Sequence, residues 1–221
     1  MIWSWDYAWS VLPILLDVIG TTMLATLLGF LIACTLGMAL AILRRSRFAA
    51  VRLTINGFIQ FVRNTPLLVQ LFFLYYAVPM SFGFTMTAFT AGIVGLGLHY
   101  STYMAEVYRS GIDGVDRGQW EAARALNFTK QQTWTRIILP QAVPPILPIM
   151  GNYLIVVFKE TPLLAAITVM ELLSRANNIV ARDWRPTEPY TLVGILFLVI
   201  SLLLSGLVSL LEYKLAQRQK R

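Results

Sequence analysis

Two short strings put charge where this sequence is otherwise hydrocarbon: Arg63-Asn64-Thr65-Pro66 and Lys159-Glu160-Thr161-Pro162. Each joins a cation to a Thr-Pro pair. Proline lacks a backbone donor and crowds the preceding turn, so a helix is expected to open at each string. Pro162 also disfavours helical backbone at Thr161. Freed backbone groups are tolerated deep in a membrane only where protein or a water-filled cavity meets them. A charge at such a place commonly marks a pathway. Lys159 beside Glu160 offers opposite charges to the carboxylate and ammonium of a zwitterion, through charge-assisted hydrogen bonds. A locally opened chain is expected to aim both at one cavity. The alternative is that these charges pair with each other or close helix ends. His99 likewise has two readings, a contact on the path or a packed, hydrogen-bonded helix residue. Arg63, Asn64, Thr65, His99, Lys159, Glu160 and Thr161 are therefore the candidate pathway residues. Glu106 and Arg109, three apart, are expected to pair on one helix face.

Other chemistry is excluded by what the sequence lacks. The one cysteine, Cys34, offers no disulfide framework or thiolate cluster, and the one histidine excludes a multi-His metal site. No Gly-rich loop ends in Gly-Lys-Ser or Gly-Lys-Thr, so there is no P-loop for ATP. No set of nucleophile, base and orienting group can be assembled from the motifs present. The chain is not expected to be an enzyme or to hold a cofactor. Uphill transport would draw its energy from a partner or an ion gradient.

The elements that must position these residues are membrane helices. The composition is 57% hydrophobic and 13% charged, with mean hydropathy +0.66. An ordinary soluble domain carries about 25% charged residues. Five apolar stretches reach the roughly 20 residues that a helical span needs. They are 11–43, with Asp17 near its start; 53–79, interrupted by Arg63; 87–108, carrying His99 and Glu106; 137–158; and 190–211. The fold class is thus an all-α membrane protein of one domain.

Charge placement orients the spans. Arg44, Arg45, Arg47 and Arg52 follow the first span, and Arg109, Arg117, Arg124, Lys130 and Arg136 follow the third. Lys214, Arg218, Lys220 and Arg221 follow the fifth, while the segments before the first span and between the second and third have no Lys or Arg. Basic loops stay cytoplasmic, so the N-terminus is expected outside and the C-terminus inside. Arg175, Arg182 and Arg185 run against that pattern. The net charge of +7 is a topology signal, since its basic residues are dispersed among membrane loops rather than gathered for nucleic acid. The opening MIWSWDYAWS has no basic residue to begin a signal peptide. Its Trp3, Trp5, Tyr7 and Trp9 are expected to settle at the headgroup level.

The loop 109–140 reads like soluble protein. Asp116 suits the N-cap of a helix from Arg117, with Gln119 placed to close a capping box. Ala122, Ala123, Ala125 and Leu126 make a smooth surface. Asn127 stops the helix, as a residue tolerant of the left-handed conformation. Thr129 caps a second helix, with Gln132 completing a box. Pro140 is expected to kink or end that helix at the membrane. A smooth helix beside Glu121 and Arg124 suits docking into another protein's groove. The alternative is a connector that touches only headgroups.

Glu121-Ala122-Ala123, a break residue, and Ile138-Leu139-Pro140 resemble the EAA loop of permeases of ATP-binding-cassette importers, with Asn127 where that family normally has Gly. Four further stretches resemble the polar amino acid permeases among them. They are Arg63-Asn64-Thr65-Pro66-Leu67-Leu68-Val69-Gln70-Leu71-Phe72-Phe73, Ala105-Glu106-Val107-Tyr108-Arg109-Ser110-Gly111-Ile112, Gly118-Gln119-Trp120-Glu121-Ala122-Ala123 and Lys159-Glu160-Thr161-Pro162-Leu163. The likeness runs over roughly residues 15–213. It implies a type I importer permease of the bacterial cytoplasmic membrane whose EAA loop sits in a cleft of a cytoplasmic ATPase dimer. Gln119, Glu121, Ala122, Ala123, Asn127 and Pro140 would form that docking element. It further implies a second permease subunit, identical or homologous, and an external solute-binding protein. ATP and magnesium would belong to the ATPase. Ectoine, opine and cystine uptake also occur in this group, so the ligand stays open. The other reading is an ion-gradient-driven secondary transporter, which can have broken helices at the midplane but needs no coupling loop.

Overall fold

In the computed structural model, which describes residues 3–219, the described chain is helical with no strand. It opens with α1 (Trp5–Leu16) and α2 (Ile19–Leu43). Next come α3 (Ala49–Arg63), α4 (Leu67–Phe72) and α5 (Val78–Phe82), with a π turn, Phe73–Ala77, between the last two. The long α6 (Ala88–Asp113) leads to the short α7 (Arg117–Ala125) and α8 (Lys130–Gln132). A second π turn, Thr133–Ile138, joins α8 to α9 (Leu139–Glu160), and Thr161–Ile167 continues as a 3₁₀ helix. α10 (Leu172–Asp183) and α11 (Thr187–Gln219) complete the chain. Lys220 and Arg221, read as part of the basic tail, lie outside the described residues.

The main core joins α2, α6 and α9. Small residues on α2 let α6 lie almost against its backbone. A Cβ at Gly37 would stand 2.5 Å from the Met104 Cβ and 2.8 Å from the Ser101 carbonyl oxygen. A Cβ at Gly97 on α6 would stand 2.4 Å from Ile32 Cγ2. Such close approach is how helices associate where lipid supplies no hydrophobic drive between them. A second core joins α1, α10 and α11 through Val11, Leu15, Leu172, Ala176, Ile179 and Val193.

Several expected elements are redrawn. The over-long first span is two helices, broken at Asp17–Val18. Asp17 is drawn out to Arg175, 3.2 Å away. The stretch 53–79 is a broken pair, Ala49–Arg63 and Leu67–Phe82, bent by 104°. Among the described residues three helices are long and apolar enough to cross a membrane, Ile19–Leu43, Lys130–Ile167 and Thr187–Lys214, and the bent pair makes up to four. The expected span 87–108 lies in α6, whose 26 residues are long enough at about 39 Å. It falls short on apolarity because its polar residues, among them His99, Ser101 and Thr102, are buried against protein.

Pro140, expected to kink or end its helix, does not end it. The Thr133–Ile138 π turn stands just upstream, and the same device precedes Pro79, where the Phe73–Ala77 π turn stands. In a π turn each N–H reaches one residue further back, which loosens the turn that a proline ring would crowd. The helix then runs on from Lys130 to Ile167 over 38 residues.

The three arginines that run against the charge pattern are each met by a carboxylate. Arg175 pairs with Asp17, Arg182 with Asp183 at 2.7 Å, and Arg185 with the buried Glu188. Trp5 and Trp9 face outward from α1, one helical turn apart, but Tyr7 turns inward. Its hydroxyl donates to Asp183 at 2.7 Å, and the Arg185 guanidinium lies 4.5 Å from its ring centre. The hydrogen bonds from Arg182 and Tyr7 hold the Asp183 carboxyl down to about 2. Burial and the bond to Asp183 raise the Tyr7 hydroxyl to about 12. This link therefore keeps one protonation state through the physiological range.

Candidate functional site

Two regions gather the candidate residues. The first is the cytoplasmic-type loop. Asp116 Oδ1 accepts from the Gly118 N–H at 2.6 Å and so starts α7. The expected box through Gln119 is not formed, because the Gln119 side chain instead accepts from Gln141 Nε2 at 3.1 Å. α7 closes in a Schellman arrangement: Phe128 N–H donates to Ala123 O and Asn127 N–H to Arg124 O, both at 3.0 Å. Asn127 has φ 56°, the left-handed conformation its residue type suggests. The Thr129–Gln132 box is formed in both directions, at 3.2 and 2.9 Å.

One face of α7 is glued to the chain, with Trp120 packed edge-on against Trp134 at 5.4 Å between ring centres. Ala123 is 2% exposed on that inner face, so it supports the helix rather than offering a contact. Gln119, Glu121, Ala122, Ala125, Leu126 and Asn127 are exposed, as is Pro140 at the start of α9. Asn127→Gly is expected to be near neutral, since both residues accept positive φ. Asn127→Val should cost about 1–2 kcal/mol at this backbone position and weaken coupling. Comparing ATP-dependent uptake by the two variants checks this, and equal uptake would contradict it.

The second region is a cavity of about 580 Å³ beside the break in the bent pair, lined by Arg63, Asn64, Thr65, His99, Tyr100, Tyr103 and Glu160 among others. Pro66 is extended, with ψ 136°, and supplies no N–H to Val62 O four residues back. Gln70 supplies one instead: its Nε2 donates to Val62 O at 2.8 Å and to Thr65 O at 3.1 Å. His99, 8% exposed, meets Gln70 Oε1 through Nδ1 at 3.2 Å. The Arg63 guanidinium lies 5.0 Å from the Tyr103 ring centre, and Nη1 is 3.6 Å from Glu106 Oε1.

Glu106 gathers cations from three helices. Arg44, at the end of α2, reaches it at 2.5 Å and Arg109 at 2.8 Å, the latter being the expected pair. Arg45 and Arg109 also meet Asp113, at 2.7 and 3.1 Å.

The two Thr-Pro strings behave differently. At Thr65-Pro66 the helix opens. At Thr161-Pro162 it does not: Thr161 keeps helical backbone (φ −58°, ψ −29°) and its buried hydroxyl donates to Phe158 O at 2.7 Å. Pro162 sits in the first turn of a 3₁₀ segment, and the Phe158 carbonyl four residues back, which it cannot serve, is met by the Thr161 hydroxyl. On a continuous helix adjacent residues point about 100° apart. Glu160 accordingly borders the cavity, while Lys159 is exposed elsewhere and makes no ion pair among the described residues. The opened chain aiming both charges at one cavity is thus not found.

Sequence reasoning passed over Gln70, Tyr100 and Tyr103. Gln70 stands four residues after Pro66, spaced to reach back over the break, and Tyr103 lies one turn along α6 from His99. Those spacings were the available signal. Among the described residues no three His, Cys, Asp or Glu side chains come together as metal ligands.

A helical membrane chain with a polar cavity at a broken helix and an exposed, capped loop helix is the form of a transport component. Residues 33–217 match the family described as binding-protein-dependent transport system inner membrane component, and the chain belongs to that family. It is 41% identical over 222 residues to a probable amino-acid ABC transporter permease protein of Sinorhizobium fredii, covering 97% of this chain and 96% of that one. It is 30% identical over 216 residues to the glutamine transport system permease protein of Escherichia coli, covering 97% and 99%. A crystal structure of an amino acid ABC transporter with histidines superposes with TM-score 0.91 at 34% identity, covering 97% of this chain and all of that one (100%). The methionine transporter MetNI, inward facing, shares the fold at TM-score 0.74 and 19% identity, covering 96% and 99%.

Proposed function

We infer that this chain is the membrane-spanning permease subunit of an ATP-driven importer for polar amino acids or similar small zwitterions. The observation that carries this is the exposed, doubly capped α7, packed through Trp120 on Trp134 of the separate continuous helix whose far end brings Glu160 to the cavity. The similarity to amino-acid permeases supports the substrate class. Five spans cross the membrane, with α6 as the fifth, its polar face turned into protein. The N-terminus lies outside and the C-terminus in the cytoplasm. Two protomers, identical or homologous, enclose a path. An ATPase dimer, holding ATP and magnesium, docks on the α7 loops, and an external binding protein delivers ligand. Closure of the ATPase pushes α7 and switches access. A secondary transporter needs no such exposed helix.

Within the cavity Glu160 is the carboxylate for a ligand's ammonium, and Arg63, Asn64, Thr65 and His99 line the way. Losing one charge-assisted bond costs about 1.5–3 kcal/mol, roughly 10- to 100-fold in affinity. Glu160→Gln is therefore expected to weaken uptake by that order while the permease–ATPase complex still assembles. Lys159→Met should leave ligand preference unchanged. The measurement is uptake of a panel of labelled amino acids and compatible solutes into proteoliposomes, beside the yield of complex. Loss of complex with Glu160→Gln, and no change in ligand affinity, would end this assignment.

A further inference from the structure

We propose that Gln70 is a positioning residue that fixes the tautomer of His99, so that the ring presents Nε2 to the cavity as a hydrogen-bond acceptor. The inference rests on reading this cavity as the ligand path. Its basis is the hydrogen-bonding inventory of one amide. Gln70 Nε2 stands 2.8 Å from Val62 O and 3.1 Å from Thr65 O. Both partners are backbone carbonyls, which can only accept. The Thr65 hydroxyl, 2.7 Å from the same nitrogen, is directed towards the Phe61 and Val62 carbonyls at 3.0 and 3.2 Å, so its lone pairs share one of the amide's two hydrogens with the Thr65 carbonyl. Turning the amide over would bring Oε1 against two carbonyl oxygens. The orientation is therefore chemically determined, with NH₂ towards the break and Oε1 towards His99.

Oε1 has no proton to give. The contact at 3.2 Å then requires His99 Nδ1 to carry the hydrogen. In a neutral imidazole one nitrogen donates and the other accepts, so Nε2 holds the lone pair. His99 borders the cavity, and with Nδ1 held by Gln70 the nitrogen available to a ligand is Nε2. A bare imidazole nitrogen accepts from N–H groups, so this wall favours ammonium, guanidinium or amide donors and gives nothing to a carboxylate. The same amide replaces the donor that Pro66 lacks. The break and the ring orientation thus depend on one side chain, and a rearrangement of the break would release His99.

The chain has a single histidine, so the test reads one ring. The permease is produced with ¹⁵N-histidine and an affinity tag free of histidine, then combined with unlabelled ATPase in lipid nanodiscs. Nitrogen spectra at a pH where the ring is neutral are expected to show protonated Nδ1 and unprotonated Nε2. In Gln70→Met this preference should be lost and both tautomers seen. In Thr65→Val, which perturbs the same break but leaves both carbonyls, it should persist. Protonated Nε2 in the unmodified complex overturns the proposal without any mutation, as does an unchanged tautomer in folded Gln70→Met. Adding L-glutamine or L-arginine should move the Nε2 resonance. If the tautomer is as stated and neither compound moves it, the cavity reading fails while the role of Gln70 in setting the tautomer stands.

Discussion

Uptake should fall to background in Glu121→Lys and in Ala122→Trp, with ATPase stimulation lost and membrane insertion intact. Both positions are on the outer face of α7, and neither side chain is held by the rest of the chain. The inner face is anchored by Trp120 on Trp134 and by buried Ala123. A reversed charge or an indole on the outer face leaves that anchoring untouched and obstructs only what seats against the helix. Ala123→Trp makes the contrast. It forces a ring into a packed site and should reduce folded protein by overpacking, at about 1–3 kcal/mol or more. Co-purification with the ATPase, uptake and the yield of folded permease separate the two outcomes. Normal uptake and unchanged co-purification for Ala122→Trp would show that this face does not dock.

The second large effect belongs to Glu106. Its carboxylate holds Arg44 and Arg109 and lies within 3.6 Å of Arg63, so α2, α3 and α6 meet at one group. Removing one partner of a buried ion pair costs about 3–5 kcal/mol. These side chains are 22–45% exposed, and solvent screening brings the expected loss for Glu106→Gln to about 1–3 kcal/mol. Adding Arg44→Met to Glu106→Gln should recover part of it, because one stranded charge is removed. Arg109→Ala should cost less than Glu106→Gln, since Glu106 keeps Arg44. Survival of the intact complex after heating, followed by size-exclusion chromatography, measures all three. A Glu106→Gln complex as heat-stable as the parent would refute the clamp.

What the sequence allowed to be read depended on how local the cause was. Asn127 and the Thr129–Gln132 box act within one turn, and their residue types suffice to place them. The two Thr-Pro strings show the opposite limit. They share the same four residues, Thr-Pro-Leu-Leu, yet one opens and the other tightens. The difference is made by Gln70 satisfying the carbonyls of the first, and by where Pro162 falls within its turn. The break at Asp17–Val18 is accompanied by the pairing of Asp17 with Arg175, a residue far along the chain. Pro140 left a kink and an end both open, because the widened turn that relieves it leaves no mark in hydrophobic pattern. The candidate cavity was legible as a set of residue types. Which of Lys159 and Glu160 faces it was not, because that depends on helix phase across Pro162.

The unbroken run from Lys130 to Ile167 has a mechanical consequence. From Lys130 to Glu160 is thirty residues by number, about 45 Å of helix. Residues 149–160 alone make an arm of about 18 Å, whose tip moves by roughly 3 Å for a tilt of about 10°. The π turn and Pro140, Pro144, Pro145 and Pro148 lie in the half next to α7, while 149–160 has no proline. Compliance is therefore concentrated in the half next to α7, and the stretch carrying Glu160 is a stiff arm. A tilt taken up in the proline-rich half would reach the cavity wall through that arm.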